Sequence, residues 1–281
     1  MDLSYNRIAE LDFSTLIPLA HSRKLSVEFN LNYNEIKEVR ESHRVSHLTF
    51  EALLMKGNLL ESFTCPDMKI GELHLEDNRL QVLSFDNCSV EYLIASHNHL
   101  KWLHIHSDLK GLVASNNEIG SFVVTGDDSE LYHFDLSENK EISHVFPTLK
   151  SMPEMQFLNL SHSYVGVLQG DNFAEMRDNK HLITLDLSDN ALESLDLNIF
   201  SGLDRLKILD ISGNKLSKLH GFERIRTILP ELSEIAIAGN RFECNDLNVF
   251  IRSFEQIGVN VIVPEFTGHH SHNNKKNVDG I

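Results

Sequence analysis

Apolar residues recur along this chain in a two-residue alternation that leads into a fixed polar position. The pattern reads Leu73-x-Leu75-x-x-Asn78-x-Leu80, then Leu93-x-Ala95-x-x-Asn98-x-Leu100, then Leu112-x-Ala114-x-x-Asn117-x-Ile119. It returns at Phe134/Leu136/Asn139, Leu185/Leu187/Asn190, Leu209/Ile211/Asn214 and Ile235/Ile237/Asn240, and upstream at Leu3/Asn6, Phe29/Leu31/Asn34 and Leu53/Met55/Asn58. One unit, Leu158-x-Leu160-x-x-Ser163-x-Val165, carries Ser in place of Asn, which makes eleven units whose anchors lie 19 to 28 residues apart. Alternation with period two predicts a short strand in each unit, with the alternate apolar side chains turned inward. A single unit cannot bury that apolar edge, whereas stacked units share a continuous core.

This is the pattern of a leucine-rich repeat, and it predicts an α/β solenoid whose parallel strands form one concave sheet. The amide of the fixed Asn both donates and accepts, so Asn34, Asn58, Asn78, Asn98, Asn117, Asn139, Asn190, Asn214 and Asn240 are expected to bond backbone groups from coil to coil as a ladder. Ser163 supplies only part of that bonding, so a looser turn is expected there. Units of 19 to 22 residues between Asn58 and Asn139 leave room for extended or tight-turn segments on the convex side. The longer later units contain Asp171–Arg177 and Gly221–Arg226, which read as short helices. After Asn240, the residues Phe242, Cys244, Leu247, Phe250, Ile251 and Phe254 lie on one face of an amphipathic helix able to cover the last coil. Val259–Val263 reads as a final strand. The expected organisation is a repeat region over 1–242, a cap over 243–266 and a flexible tail over 267–281.

Composition narrows the function without choosing it. The chain of 281 residues has 41 acidic and 25 basic side chains, a formal charge of −16 and a 41% apolar content. A strongly acidic chain lacks the clustered Lys and Arg that nucleic acid or anionic lipid requires. No stretch approaches the roughly 20 apolar residues of a spanning helix, so no membrane insertion is expected. The opening Met1-Asp2-Leu3-Ser4-Tyr5-Asn6 has neither the basic nor the apolar region of a signal peptide and already lies inside a repeat, so a fragment, or a missing preceding cap, is expected. No phosphate-binding, nucleophile-elbow or zinc-protease motif occurs, so no enzyme, cofactor or metal is expected.

The run Ala238-Gly239-Asn240-Arg241-Phe242-Glu243-Cys244-Asn245-Asp246-Leu247-Asn248-Val249-Phe250 is similar to the cap of secreted insect leucine-rich-repeat proteins. Cys88-Ser89-Val90-Glu91-Tyr92-Leu93-Ile94-Ala95-Ser96-His97-Asn98 resembles their short central repeats. The mosquito leucine-rich-repeat immune proteins belong to this group. The resemblance implies an extracellular innate-immunity scaffold that holds a protein partner, either a complement-like effector or another leucine-rich-repeat chain. It also implies that Cys244 is a cap cysteine. Two other readings are an ectodomain fragment of an adhesion or Toll-like receptor, and an intracellular repeat subunit that targets an enzyme.

The candidate binding residues lie between the two inward apolar positions of each strand. Leu54, Ile94 and Val113, with Tyr92 beside them, form an expected apolar patch. His74 lies in the same series, and Asp135, Asp186 and Asp210 form an expected acidic strip. Asn87 and Asn159 each begin a glycosylation sequon, Asn87 in a convex loop and Asn159 on the concave strand. Cys65 is expected as a small core hydrophobe rather than half of a bridge to Cys88. His74, His97, His133 and His162 read as solvated surface, as do His269, His270 and His272 in the tail.

Overall fold

The computed structural model describes residues 1–16, 27–41, 46–85, 88–125, 129–140, 142, 149, 152–168, 173 and 180–262. Each repeat places its alternating apolar run on a strand, and these strands pair in parallel into one eleven-stranded sheet. In chain order they are Val27–Asn30, Ser46–Leu54, Asp67–His74, Ser89–Ile94, Gly111–Val113, His133–Asp135, Phe157–Asn159, Thr184–Asp186, Ile208–Asp210, Glu234–Ala236 and Asn260–Ile262. Asp2 extends this sheet through a single bridge to Asn30. The inward positions, among them Leu53, Leu73, Leu93, Leu112, Phe134, Leu158, Leu185, Leu209 and Ile235, are buried in one cluster that runs from Leu11 to Val259. The chain therefore has the leucine-rich-repeat solenoid fold.

The convex side changes along the chain, but strand pairs also occur in long units, Glu10–Asp12 with Glu38–Arg40 and Ser194–Asp196 with Lys218–His220. Short units carry parallel strand pairs, Ser62–Thr64 with Val82–Ser84 and Trp102–His106 with Ser121–Thr125. In the later repeats, the 3-10 turns Leu197–Phe200 and Phe222–Arg224 and the α-helical turn Ile225–Ile228 fill the greater length. Of the expected helix at Asp171–Arg177, only Phe173 is among the described residues, and it is buried.

After each strand the chain turns through a left-handed residue immediately before the ladder position. Tyr5, Tyr33, Gly57, Asp77, His97, Asn116, Glu138, His162, Asp189, Gly213 and Gly239 all have positive φ. That conformation suits Gly, Asn and Asp and disfavours bulky side chains, so the tyrosines there are unusual. The turn aims the next side chain inward. Asn98 Nδ2 donates to Leu75 O of the preceding coil at 3.0 Å and to Ala95 O and Ser96 O of its own coil. Its Oδ1 accepts from Leu80 N at 2.8 Å. Asn58, Asn78, Asn117, Asn139, Asn190 and Asn214 repeat this arrangement, so buried backbone groups of two coils share one amide.

The coil of Ser163 departs from the frame. Ser163 Oγ donates to Ser161 O at 2.9 Å but lies 3.5 Å from Leu136 O of the preceding coil. Tyr164 is a second left-handed residue at φ 57°, on the other side of Ser163 from His162. Asn190 Oδ1 of the next coil then accepts from both Ser163 N and Val165 N, each at 2.9 Å.

Beyond the last repeat, the α-helix Cys244–Gln256 turns Phe250 and Phe254 inward. The Phe250 ring meets Phe222 and Phe242 edge-on at 4.8 and 5.1 Å. Gly258, at φ 75°, ends the helix, and Val259 N donates back to Phe254 O. The chain then enters the strand Asn260–Ile262.

The cysteines require a correction. Cys65 is buried in the core, but it is also disulfide-bonded to Cys88, with Cα atoms 5.6 Å apart. The repeat frame sets Cys88 one coil along from Cys65 and a few residues off its column, which made the bridge the less expected outcome. In the structure, Cys88 N donates to Phe85 O, and the Cys88 side chain is buried in the core cluster. The separation lies within normal disulfide reach.

Candidate functional site

Pairing registers place the candidate binding residues in one continuous column across the sheet. Leu54, His74, Ile94, Val113, Asp135, Asn159, Asp186, Asp210 and Ala236 are successive partners. Strands stack at about 4.8 Å, so neighbouring side chains in the column touch. Leu54, Ile94 and Val113 are consequently half-buried rather than freely exposed, each covered in part by its neighbours. None of the three packs against the core cluster. The column therefore runs from an aliphatic stretch into an acidic one.

A second column on the same face, two residues earlier in each strand, is aromatic at its centre. Tyr92, Gly111, His133 and Phe157 are successive partners. The Tyr92 ring lies across Gly111, where an added Cβ would come within 2.7 Å of it, so only glycine admits the ring there. Its hydroxyl meets that of Tyr132 at 2.9 Å, and this bond, with burial, pushes the Tyr132 pKa up to about 12. His133 stacks flat on Phe157 with centroids 4.4 Å apart. Burial lowers its pKa against the pull of Asp135, which favours neutral imidazole. Tyr132 and Phe157 are absent from the expected binding residues, and His133 was expected as plain surface. Period two places residues two apart on the same face, and that signal sets Phe157 beside His133.

Charges flank this centre on both sides. Toward the N-terminus, His74 sits between Glu72 and Glu76 at 3.5 and 3.4 Å, and Lys56 reaches Glu76 at 3.8 Å and Asp77 at 3.4 Å. Burial disfavours the His74 cation, but the two carboxylates outweigh it and raise the pKa. Toward the C-terminus, Ser137, Ser188 and Ser212 each donate a backbone N–H to one oxygen of Asp135, Asp186 or Asp210. Asn159 Nδ2 donates to Asp135 Oδ2 at 3.2 Å. Burial raises the pKa of Asp186 against its Ser188 bonds, with Asp210 and Asp135 adding to the rise.

The remaining candidates disperse. Asn159 lies in the column with its amide engaged at both ends, so a glycan there would stand in the middle of the concave face. Asn87, His269, His270 and His272 lie outside the described residues. Cys244 is exposed with a free thiol. His74 and His133 are half-buried in specific contacts rather than solvated, which corrects the reading of both as plain surface, whereas His97 and His162 are exposed. Among the described residues, no group of three or more His, Cys, Asp or Glu side chains is placed to hold a metal ion, and no helix is long and apolar enough to cross a membrane.

The leucine rich repeat family matches residues 153–216 and 180–242 of this chain. Transforming growth factor beta activator LRRC32 of Mus musculus is 29% identical over 115 residues, covering 40% of this chain and 17% of the relative. Tsukushi of Gallus gallus is 25% identical over 269 residues, covering 85% of this chain and 67% of the relative. The chain thus spans under a fifth of the first relative's length and about two thirds of the second's. Among solved structures, the leucine-rich repeat domain of APL1B superposes with a TM-score of 0.66 at 20% identity, over 99% of this chain and 90% of that one. The LRIM1/APL1C complex gives a TM-score of 0.68 at 21% identity, over 92% of this chain and 55% of that one. At such identities the likeness is one of fold. Residues 153–242 carry the leucine-rich-repeat family match, and the described chain carries the corresponding solenoid.

Proposed function

We propose that this chain is a non-enzymatic scaffold that holds another protein against its concave face. The observation that carries this reading is the face itself. A half-buried aliphatic and aromatic centre, built from Tyr92, Ile94, Val113 and His133, lies between His74 with its carboxylates and the Asp135–Asp186–Asp210 strip, with Leu54 beyond His74 and Phe157 beside the strip. An apolar centre inside a polar rim is the anatomy of a protein interface. Rigid aromatic anchors held by ring stacking and a hydroxyl bond lower the entropy cost of contact.

The proposed setting is extracellular. The Cys65–Cys88 disulfide supports it, because such bonds persist where the medium is oxidising. The same bond counts against an intracellular targeting subunit. The cap resemblance and the shared fold with APL1B support a place among the insect immune scaffolds, with a complement-like effector or a second leucine-rich-repeat chain as partner. A photo-crosslinking amino acid at position 94 or 113 tests the concave face in the native extracellular fluid. The expected result is one recurrent protein adduct at these positions and none at convex position 218. Adducts confined to position 218, or none at all, would contradict the reading.

A further inference from the structure

The convex strand Trp102–His106 carries two imidazoles on its outer face. Leu103 and Ile105 are buried in the core, so Trp102, His104 and His106 face outward by the two-residue alternation of a strand. The Cα atoms of His104 and His106 are therefore about 6.6 Å apart. Their rings lie side by side, with centroids 4.7 Å apart and planes tilted by 45°. The paired strand sets Val123 beside His104 and Thr125 beside His106, and Val123 is 57% exposed. The pair borders open, uncharged surface on that side.

These two rings differ from the other histidines in having free nitrogens. His74, His99, His162 and His181 each face a carboxylate, and His133 is stacked on Phe157. Among the described residues, the rings of His104 and His106 have no hydrogen-bond or ion-pair partner. The Nε2 atom of His106 is buried in this unpartnered state, which is unfavourable for a polar atom. Two uncommitted imidazoles, two residues apart on one face of a strand, form a chelating pair. Metal–nitrogen bonds of about 2.0 Å at a right angle set two ring nitrogens about 2.8 Å apart. That spacing lies within reach of side-chain rotation from the observed ring separation.

We propose that His104 and His106 form a surface site for a late first-row divalent cation, Cu2+ above all. Neutral imidazole suits Cu2+, which takes square-planar or tetragonal sets of nitrogen and oxygen ligands and heads the affinity order of these ions. Two protein ligands are fewer than the three or four of a catalytic or structural zinc site, so water fills the remaining positions. The site lies on the convex side and is independent of the concave reading above.

Trp102 supplies the readout. It is the one tryptophan of the chain and lies on the same strand face, two residues from His104. Cu2+ is titrated into the whole chain carrying His269→Asn, His270→Asn and His272→Asn, which removes three imidazoles near the C-terminus. The proposal expects saturable quenching of Trp102 fluorescence at one ion per chain. Adding His104→Asn and His106→Asn should abolish the saturable phase and keep the circular dichroism of the folded chain, because both side chains face outward. If that double variant unfolds, His104→Asn alone should abolish one-to-one saturation. Electron paramagnetic resonance of the one-to-one complex should show two imidazole nitrogens on the copper. Quenching that rises without saturation, quenching that persists when both histidines are replaced, or a spectrum without two imidazole nitrogens would overturn the proposal.

Discussion

A single amide in this fold satisfies backbone groups of two coils, and Asn190 carries the heaviest share. Its Oδ1 accepts two backbone N–H groups and its Nδ2 donates to three carbonyls. Asn190→Ala strands these buried groups and is expected to cost at least about 1 to 3 kcal/mol in a urea titration. Asn245→Ala, at an exposed site on the C-terminal helix, should cost a few tenths at most. Equal small losses would contradict the ladder. Asp186 offers a test in pH. Its folded pKa lies above the ordinary 3.8, so its ionisation costs stability once the pH has risen through the folded value. Asp186→Asn should therefore stabilise at neutral pH, and the gain should vanish below pH 3.8. A gain that persists in acid would rule out the burial of that charge.

At the scale of elements, most of the architecture was legible because the repeat is strict. The L-x-L spacing located the strands, and the repeat length foretold extended convex segments in the short units. Two features were not legible, for physical reasons. The Cys65–Cys88 bond joins two residues that do not share a column of the repeat frame, a pairing that no periodic pattern encodes. The double duty of Asn190 arises from the geometry of the neighbouring Ser163 coil, although the Ser itself marked the place. The disulfide closes a loop of 23 residues, so Cys65→Ala with Cys88→Ala should destabilise by about 3 kcal/mol on chain-entropy grounds. Reducing the native protein should lower its melting temperature in the same direction. An unchanged midpoint after complete reduction would show that the bond adds nothing to this fold.

For the whole molecule, stacking is what turns unremarkable residues into a surface. Ile94 or Val113 alone would be ordinary surface filling, and one aspartate per repeat would be ordinary as well. The parallel register sets them side by side and splits one sheet face into an aliphatic and aromatic centre with an acidic flank. The candidate column was legible from the repeat frame. Its half-burial and the Tyr92–Tyr132 and His133–Phe157 pairs were not, because they depend on contacts between residues up to 40 positions apart.

The most direct test of concave recognition is the double variant Ile94→Ser with Val113→Ser, with melting temperature and partner affinity measured on the same preparation. Neither side chain packs against the core, so the melting temperature should stay close to that of the unaltered chain. Burying these side chains beneath a partner is worth about 1.5 to 3 kcal/mol each, so affinity should fall by tenfold or more. Unfolding of the variant would contradict the outward placement of this column. Undiminished affinity in a folded variant would contradict the concave face as the recognition surface.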